Sequence, residues 1–338
     1  MQADDLQSTA RALVAPGKGI LAADESTGTI AKRFEAIGVE STTENRRAYR
    51  ELLFATRALG EFISGVILYD ETIRQQTTEG TPLVELLNNQ NIIPGIKVDQ
   101  GAKALAMCPG ETVTEGLDGL RDRLAEYLSL GARFTKWRAV LTVGPHLPTP
   151  ACFSANAHAL ARFAALSQEA GLVPIVEPEV LMDGSHTIER CAEVTEAVLR
   201  TVFEELARSR VNLEGMLLKP NMVISGKECL EQAGVGQVAE ATLRCLLRTV
   251  PAAVPGIVFL SGGQSGRRAT RHLNAMNQLG PAPWALSFSY GRALQEPVLK
   301  IWQGRAEHTA AAQKALYRLG KANSLARFGE YADEPETG

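Results

Sequence analysis

Short runs of β-branched and other apolar residues recur along the chain, each followed by a longer stretch whose apolar positions keep three-and-four spacing. The runs fall at residues 19–26, 62–70, 92–99, 132–140, 172–180, 211–221, 256–263 and 284–291. Strands alternating with helical patterns predict βαβ units and a parallel sheet. Eight such units predict an α/β protein closed into a (β/α)8 TIM barrel. An open doubly wound sheet would normally carry a glycine-rich turn after its first strand, and here that place reads Ala22-Ala23-Asp24-Glu25-Ser26-Thr27-Gly28.

The intervening segments carry their own punctuation. Ser41-Thr42-Thr43-Glu44 reads as a capping box opening a helix through Leu52, Leu53 and Leu59, and Gly131 and Gly171 stand where helices should end before the next strands. Ile188, Cys191, Thr195, Val198, Val202 and Leu206 give one helical face over five turns. Residues 1–308 are expected to form one barrel domain with an N-terminal helical extension. Residues 309–338 are expected to add an alanine- and leucine-rich helix over 310–328 and a mobile acidic tail over 330–338.

A chain of 338 residues is long enough for two domains but equally suits one barrel, and 45% hydrophobic residues suffice to fill a single large core. The charge of −3 comes from 35 basic and 38 acidic residues with no lysine-arginine block, which argues against nucleic acid and toward small, locally bound partners. No apolar run approaches the ~18 residues of a membrane span, and the acidic start reads as neither a signal nor a transit peptide. Five widely spaced cysteines without a C-x-x-C argue for reduced thiols in the cytoplasm, or in a plastid stroma if a transit peptide has been removed. The five histidines form no close pair and stand near no cysteine at ligand spacing, so neither a metal nor a cofactor is expected.

The chemistry concentrates at the predicted strand ends, where barrels of this kind carry their catalytic groups. In Leu217-Leu218-Lys219-Pro220-Asn221 a lone lysine closes an apolar strand that proline stops. A lysine held there loses hydration, which favours the neutral nucleophilic amine, although the stem of Lys219 could instead carry its charge out of the sheet. Side chains alternate faces, so Glu177 shares a face with Glu179, Lys136 with Arg138, and Asp24 with Ser26, while Trp137 turns outward. Unpaired charge is prohibitively costly to bury, so charged groups gathered on one interior face must pair or line a wet pocket. Lys136 near Lys219 would favour a free amine ready to attack a carbonyl. After the last two strands, Ser261-Gly262-Gly263 and Ser289-Tyr290-Gly291-Arg292 offer backbone amides, hydroxyls and a guanidinium for phosphate. Ser26, Thr29 and Lys97 offer a second anion site, where the two hydroxyls also suit a helix cap.

Taken jointly, Leu21-Ala22-Ala23-Asp24-Glu25-Ser26-Thr27-Gly28, Lys136-Trp137-Arg138, Val176-Glu177-Pro178-Glu179, Leu218-Lys219-Pro220-Asn221, Leu260-Ser261-Gly262-Gly263 and Ser289-Tyr290-Gly291-Arg292-Ala293-Leu294-Gln295 closely resemble class I fructose-1,6-bisphosphate aldolase, in order and from about residue 15 to 328. The likeness is greatest to its bacterial and plant branch. The resemblance implies a metal-independent lyase that cleaves fructose 1,6-bisphosphate reversibly to dihydroxyacetone phosphate and glyceraldehyde 3-phosphate. It makes Lys219 the Schiff-base lysine, Glu177 the acid/base for the carbinolamine and Asp24 the group near the C4 hydroxyl, with Lys136 and Glu179 in support. Ser261, Gly262, Gly263, Ser289, Gly291 and Arg292 would hold the C1 phosphate, and Ser26, Thr29, Lys97 and Arg33 the C6 phosphate. Arg46 and Arg138 fall in substrate-contact regions. The family acts as a homotetramer. Its members commonly end in a tyrosine that folds over the site, whereas Tyr331 is the only tyrosine of this tail. Another Schiff-base sugar-phosphate aldolase or transaldolase would share Lys219 but lack the second anion site. A non-catalytic scaffold role would leave the intact catalytic positions unexplained.

Overall fold

The computed structural model describes residues 3–333, with side chains from residue 5. Its frame is a closed barrel of eight parallel strands: β1 (Gly19–Ala22), β2 (Ile63–Leu68), β3 (Ile93–Lys97), β4 (Phe134–Leu141), β5 (Val173–Val180), β6 (Leu217–Leu218), β7 (Gly256–Phe259) and β8 (Ala285–Tyr290). Each strand pairs with its chain neighbour, and β8 closes on β1 through Ile20↔Ser289 and Leu21↔Tyr290.

Alternation along the strands sorts two layers. Ile20, Ala22, Ile67, Phe134, Val173, Ile175, Leu217 and Val258 point inward and meet Leu6, Ala10, Leu13 and Val14 from the helix Ala3–Leu13 and its exit, which plug the N-terminal end of the barrel. Phe134 fills that layer because β3 offers no side chain at Gly95: a Cβ there would lie 2.3 Å from the Phe134 ring. Outward-facing Trp137 stacks on Phe163 of the helix Pro150–Glu169, with ring centroids 5.6 Å apart. The helix Ile188–Arg208 buries Cys191, Thr195, Val198, Val202 and Leu206 of the face its spacing predicts, with Ile188 partly buried and Val194 added.

Four local features differ from expectation. Strand β6 is shorter than residues 211–221 because Asn212 starts a turn by accepting the Glu214 N–H, and Pro220 has no N–H to continue the ladder. The helix Thr43–Phe54 is capped one residue later than the capping box implies: Thr42 Oγ1 accepts the Asn45 N–H at 3.0 Å, and Glu44 pairs with Arg47. A small antiparallel hairpin, Ala102–Ala104 with Thr112–Thr114, has no apolar alternation to announce it. Residues 330–333 are held down, with the Tyr331 N–H donated to Asn274 Oδ1 and Asp333 paired with Arg267 and Arg271, and the rest of the expected mobile tail lies outside the described residues.

The helix Thr309–Arg327 packs on the outer layer through Ala312, Leu316, Asn323 and Ala326. Its last residue, Arg327, is half-buried and donates to the carbonyls of Val14, Ala15, Lys18 and Leu286, tying this helix to the plugged floor. Among the described residues no helix is long and apolar enough to cross a membrane.

Candidate active site

The inward alternation that gives the floor its apolar layer gives the opposite end a charged one. Moving up two residues from each core position leads from Ala22 to Asp24, from Phe134 to Lys136 and then Arg138, from Ile175 to Glu177 and then Glu179, and from Leu217 to Lys219. Asn221 fixes the neighbouring strand ends by accepting the Val180 N–H on Oδ1 at 3.0 Å and donating from Nδ2 to Thr195 Oγ1. The main-chain N–H of Lys219 itself donates to Val176 O at 2.8 Å.

The side chains form a relay of alternating charge. Lys136 Nζ lies 2.7 Å from Asp24 Oδ2, 3.3 Å from Glu177 Oε2 and 3.9 Å from Asp99 Oδ2, and Lys219 Nζ lies 3.2 Å from Glu177 Oε1. Glu177 therefore stands between two lysine nitrogens, one on each oxygen, so the expected proximity of Lys136 and Lys219 takes the form of a bridged array. All five side chains of the relay are at most 13% exposed. Burial alone would raise the Asp24 carboxyl, but the charges of Lys136 and Lys219 and the Lys136 hydrogen bond outweigh it and hold Asp24 well below the usual carboxylate range. Burial would likewise lower Lys136, but Asp24, Glu177 and Asp99 together hold it above the ordinary lysine range. Asp24 is thus ionised and Lys136 charged at neutral pH.

Around this relay the mouth is polar. Ser26 caps the helix Thr27–Glu35, its hydroxyl accepting the Thr29 N–H and lying 3.1 Å from the Thr29 hydroxyl, so the cap role is real. The same two residues line a cleft of about 560 Å³ with Lys97 and Arg138. Lys97 Nζ sits 2.7 Å from Asp99 Oδ1, and Arg138 is paired with Glu179. Arg33 and Arg292 line a neighbouring cleft of about 850 Å³ that also reaches Ser26 and Thr29. Arg33 pairs there with Glu25. Arg46 is not brought to either cleft: its guanidinium grips both oxygens of Glu71 and the Ser41 carbonyl. After β7, Ser261 is buried and Gly262 and Gly263 take φ of +57° and +78°, a turn that side-chain-bearing residues resist. Ser289 is buried on β8, its hydroxyl without a protein partner among the described residues, and Gly291 leads into the helix Arg292–Trp302.

Two parts of the site escaped sequence reasoning. Asp99 binds Lys97, approaches Lys136 and accepts the Arg138 N–H, and its i, i+2 spacing from Lys97 was the available signal. Glu25, on the outward face beside Asp24, is buried against Arg50 at 2.6 Å and accepts from Gln295 Nε2, which also donates to Ala22 O. Nothing local marks that network, because its members come from distant helices.

The turn after β7 is braced by a histidine. His272 is buried in the helix Gly266–Gln278, and its Nδ1–H donates to Gln264 Oε1 at 2.6 Å. Burial, with the charges of Arg268 and Arg271, pushes its imidazole down from 6.5 to about 4. Between those values the unfolded chain takes up a proton that the folded chain refuses, so stability is lost as pH falls through that window. Going from about pH 7.5 to about pH 5 is expected to cost on the order of 2 kcal/mol through this residue. Urea unfolding at both pH values reads it, and an equal pH dependence in His272→Asn would contradict it.

The family model described as "Fructose-bisphosphate aldolase class-I" matches residues 5–338. A protein of Xanthomonas campestris pv. campestris named "Probable fructose-bisphosphate aldolase class 1" is 60% identical over 332 residues, covering 98% of this chain and 99% of its own. The fructose-bisphosphate aldolase of Dictyostelium discoideum is 54% identical over 339 residues, covering 99% and 95%. The solved structure of fructose-bisphosphate aldolase from Plasmodium falciparum, in complex with TRAP and a small-molecule inhibitor, superposes with a TM-score of 0.97 at 53% identity, covering 99% of this chain and 98% of that one.

Proposed function

The chain belongs to the class I fructose-bisphosphate aldolase family, and we propose that Lys219 carries the family's reaction as the Schiff-base lysine. The activity is the metal-independent, reversible cleavage of fructose 1,6-bisphosphate to dihydroxyacetone phosphate and glyceraldehyde 3-phosphate. The observation that supports Lys219 over Lys136 is the relay itself. Lys136 is paired with Asp24 at 2.7 Å and held charged, whereas the ion pair of Lys219 is with Glu177, a group placed to exchange a proton with it.

In this reading the Lys219 amine adds to the C2 carbonyl of the open-chain sugar. Glu177, 3.2 Å from that nitrogen, gives the proton with which the C2 hydroxyl departs as water, leaving a protonated imine. Asp24, kept ionised by Lys136, takes the proton of the C4 hydroxyl. The C3–C4 electron pair then flows into the imine, which is the electron sink, giving an enamine and free glyceraldehyde 3-phosphate. Protonation at C3 and addition of water release dihydroxyacetone phosphate. Glu179 positions Arg138 at the rim.

The C1 phosphate is assigned to Ser261, Gly262, Gly263, Ser289, Gly291 and Arg292, and the C6 phosphate to Ser26, Thr29, Lys97 and Arg33, with Arg138 beside them. Lys97→Ala is expected to lower kcat/KM for fructose 1,6-bisphosphate on the order of tenfold or more, through loss of a charge-assisted contact, while changing that for fructose 1-phosphate far less. Parallel steady-state kinetics with both sugars test this, and equal losses would count against a second phosphate site. A homotetramer in a reducing, cytoplasmic compartment completes the proposal, in keeping with five free cysteines.

A further inference from the structure

The turn Ser261-Gly262-Gly263 receives a side chain that the C1-phosphate assignment does not use. A Cβ built on Gly263 would stand 3.3 Å from Lys227 Nζ and 3.2 Å from Met182 Sδ, so this ammonium lies directly against the turn. Arg292, by contrast, lines the cleft shared with Ser26, Thr29 and Arg33.

Lys227 is delivered there by a built connection. Three main-chain hydrogen bonds lace the loop after β6 to the loop after β5: Gly226 N–H to His186 O, Lys227 N–H to Met182 O and Glu228 N–H to Gly184 O, at 2.8, 2.8 and 2.9 Å. The lacing needs a residue without a side chain at Gly226, where a Cβ would come within 2.3 Å of the Gly184 carbonyl oxygen. The base of the lysine is therefore fixed while its tip is half-exposed and paired with Asp183 at 2.8 Å. An exposed pair of this kind contributes little net stability, so its cation exchanges partners at small cost. A phosphate dianion on the turn is the stronger competitor, carrying more charge than a carboxylate and receiving backbone amides at the same time.

We propose that Lys227 is a specificity-determining contact for the phosphate ester at C1, leaving Asp183 for a phosphate oxygen when the substrate enters. The proposal rests on the reading of Ser261–Gly263 as the C1-phosphate turn. The test compares Lys227→Met, Lys227→Arg, Asp183→Asn and Ser261→Ala by steady-state kinetics with fructose 1,6-bisphosphate, and by the dihydroxyacetone phosphate concentration needed for half-maximal borohydride trapping. Lys227→Met is expected to raise KM and the half-trapping concentration roughly tenfold with a much smaller change in kcat. Lys227→Arg should recover most of the loss. Asp183→Asn, which frees the lysine, should leave KM at or below the wild-type value, and trapping by unphosphorylated dihydroxyacetone should show no comparable shift in any variant. If Lys227→Met keeps the wild-type KM while Ser261→Ala raises it, the phosphate turn stands and the lysine contact is overturned. If neither variant moves KM, both readings fall. If Asp183→Asn raises KM as Lys227→Met does, the pair is a brace for the loops, and the contact is again overturned.

Discussion

Lys219→Met is expected to reduce kcat by roughly five orders of magnitude or more, the scale seen when the group that forms a covalent intermediate is removed. The variant keeps an unbranched side chain in a nearly solvent-free site, and Glu177 retains Lys136 at 3.3 Å as a partner, so no carboxylate is left unpaired. The fold should therefore survive, and circular dichroism together with a thermal melt shows whether it does. A folded variant retaining more than about one thousandth of the wild-type rate would mean that another amine, or none, carries the chemistry.

Asp24→Asn should be nearly as damaging by a different route. The amide keeps the shape of the carboxylate but cannot accept the C4 hydroxyl proton, and the substitution removes the anion that lies 2.7 Å from Lys136. General-base loss alone predicts a fall in kcat of about 10²- to 10⁴-fold. Lys136 still has Glu177 and Asp99 within 4 Å, so the destabilisation should be smaller than for a buried cation stripped of every partner. The distinguishing readout is that imine formation precedes the step that needs Asp24. The variant should still be trapped by borohydride with dihydroxyacetone phosphate while cleaving fructose 1,6-bisphosphate slowly. Loss of trapping in parallel with loss of cleavage would place Asp24 in imine formation instead.

Both expectations were within reach of the sequence because strand alternation is a local rule. Once Val173 and Ile175 are taken as inward, Glu177 and Glu179 must follow, and Phe134 carries Lys136 and Arg138 with it. The resemblance then supplied roles that alternation does not give. What could not be read were contacts between groups far apart in the chain. Arg46 sits on a helix near other substrate-contact candidates, yet a bidentate grip on Glu71 takes it out of the mouth. Glu25 neighbours Asp24 but faces the outer layer, where Arg50 and Gln295 meet it from two helices nearly 250 residues apart. Lys227 reaches Gly263 only because two loops are laced together by main-chain bonds. Asp99 was the exception, a third carboxylate in the relay whose spacing from Lys97 was legible.

The most direct measurement is borohydride reduction in the presence of dihydroxyacetone phosphate, followed by intact mass and peptide mapping. One triose phosphate per chain, located on Lys219 and with Lys136 unmodified, is the predicted result. An adduct on Lys136, or a folded enzyme that takes up none, would contradict the assignment of Lys219 as the imine-forming residue.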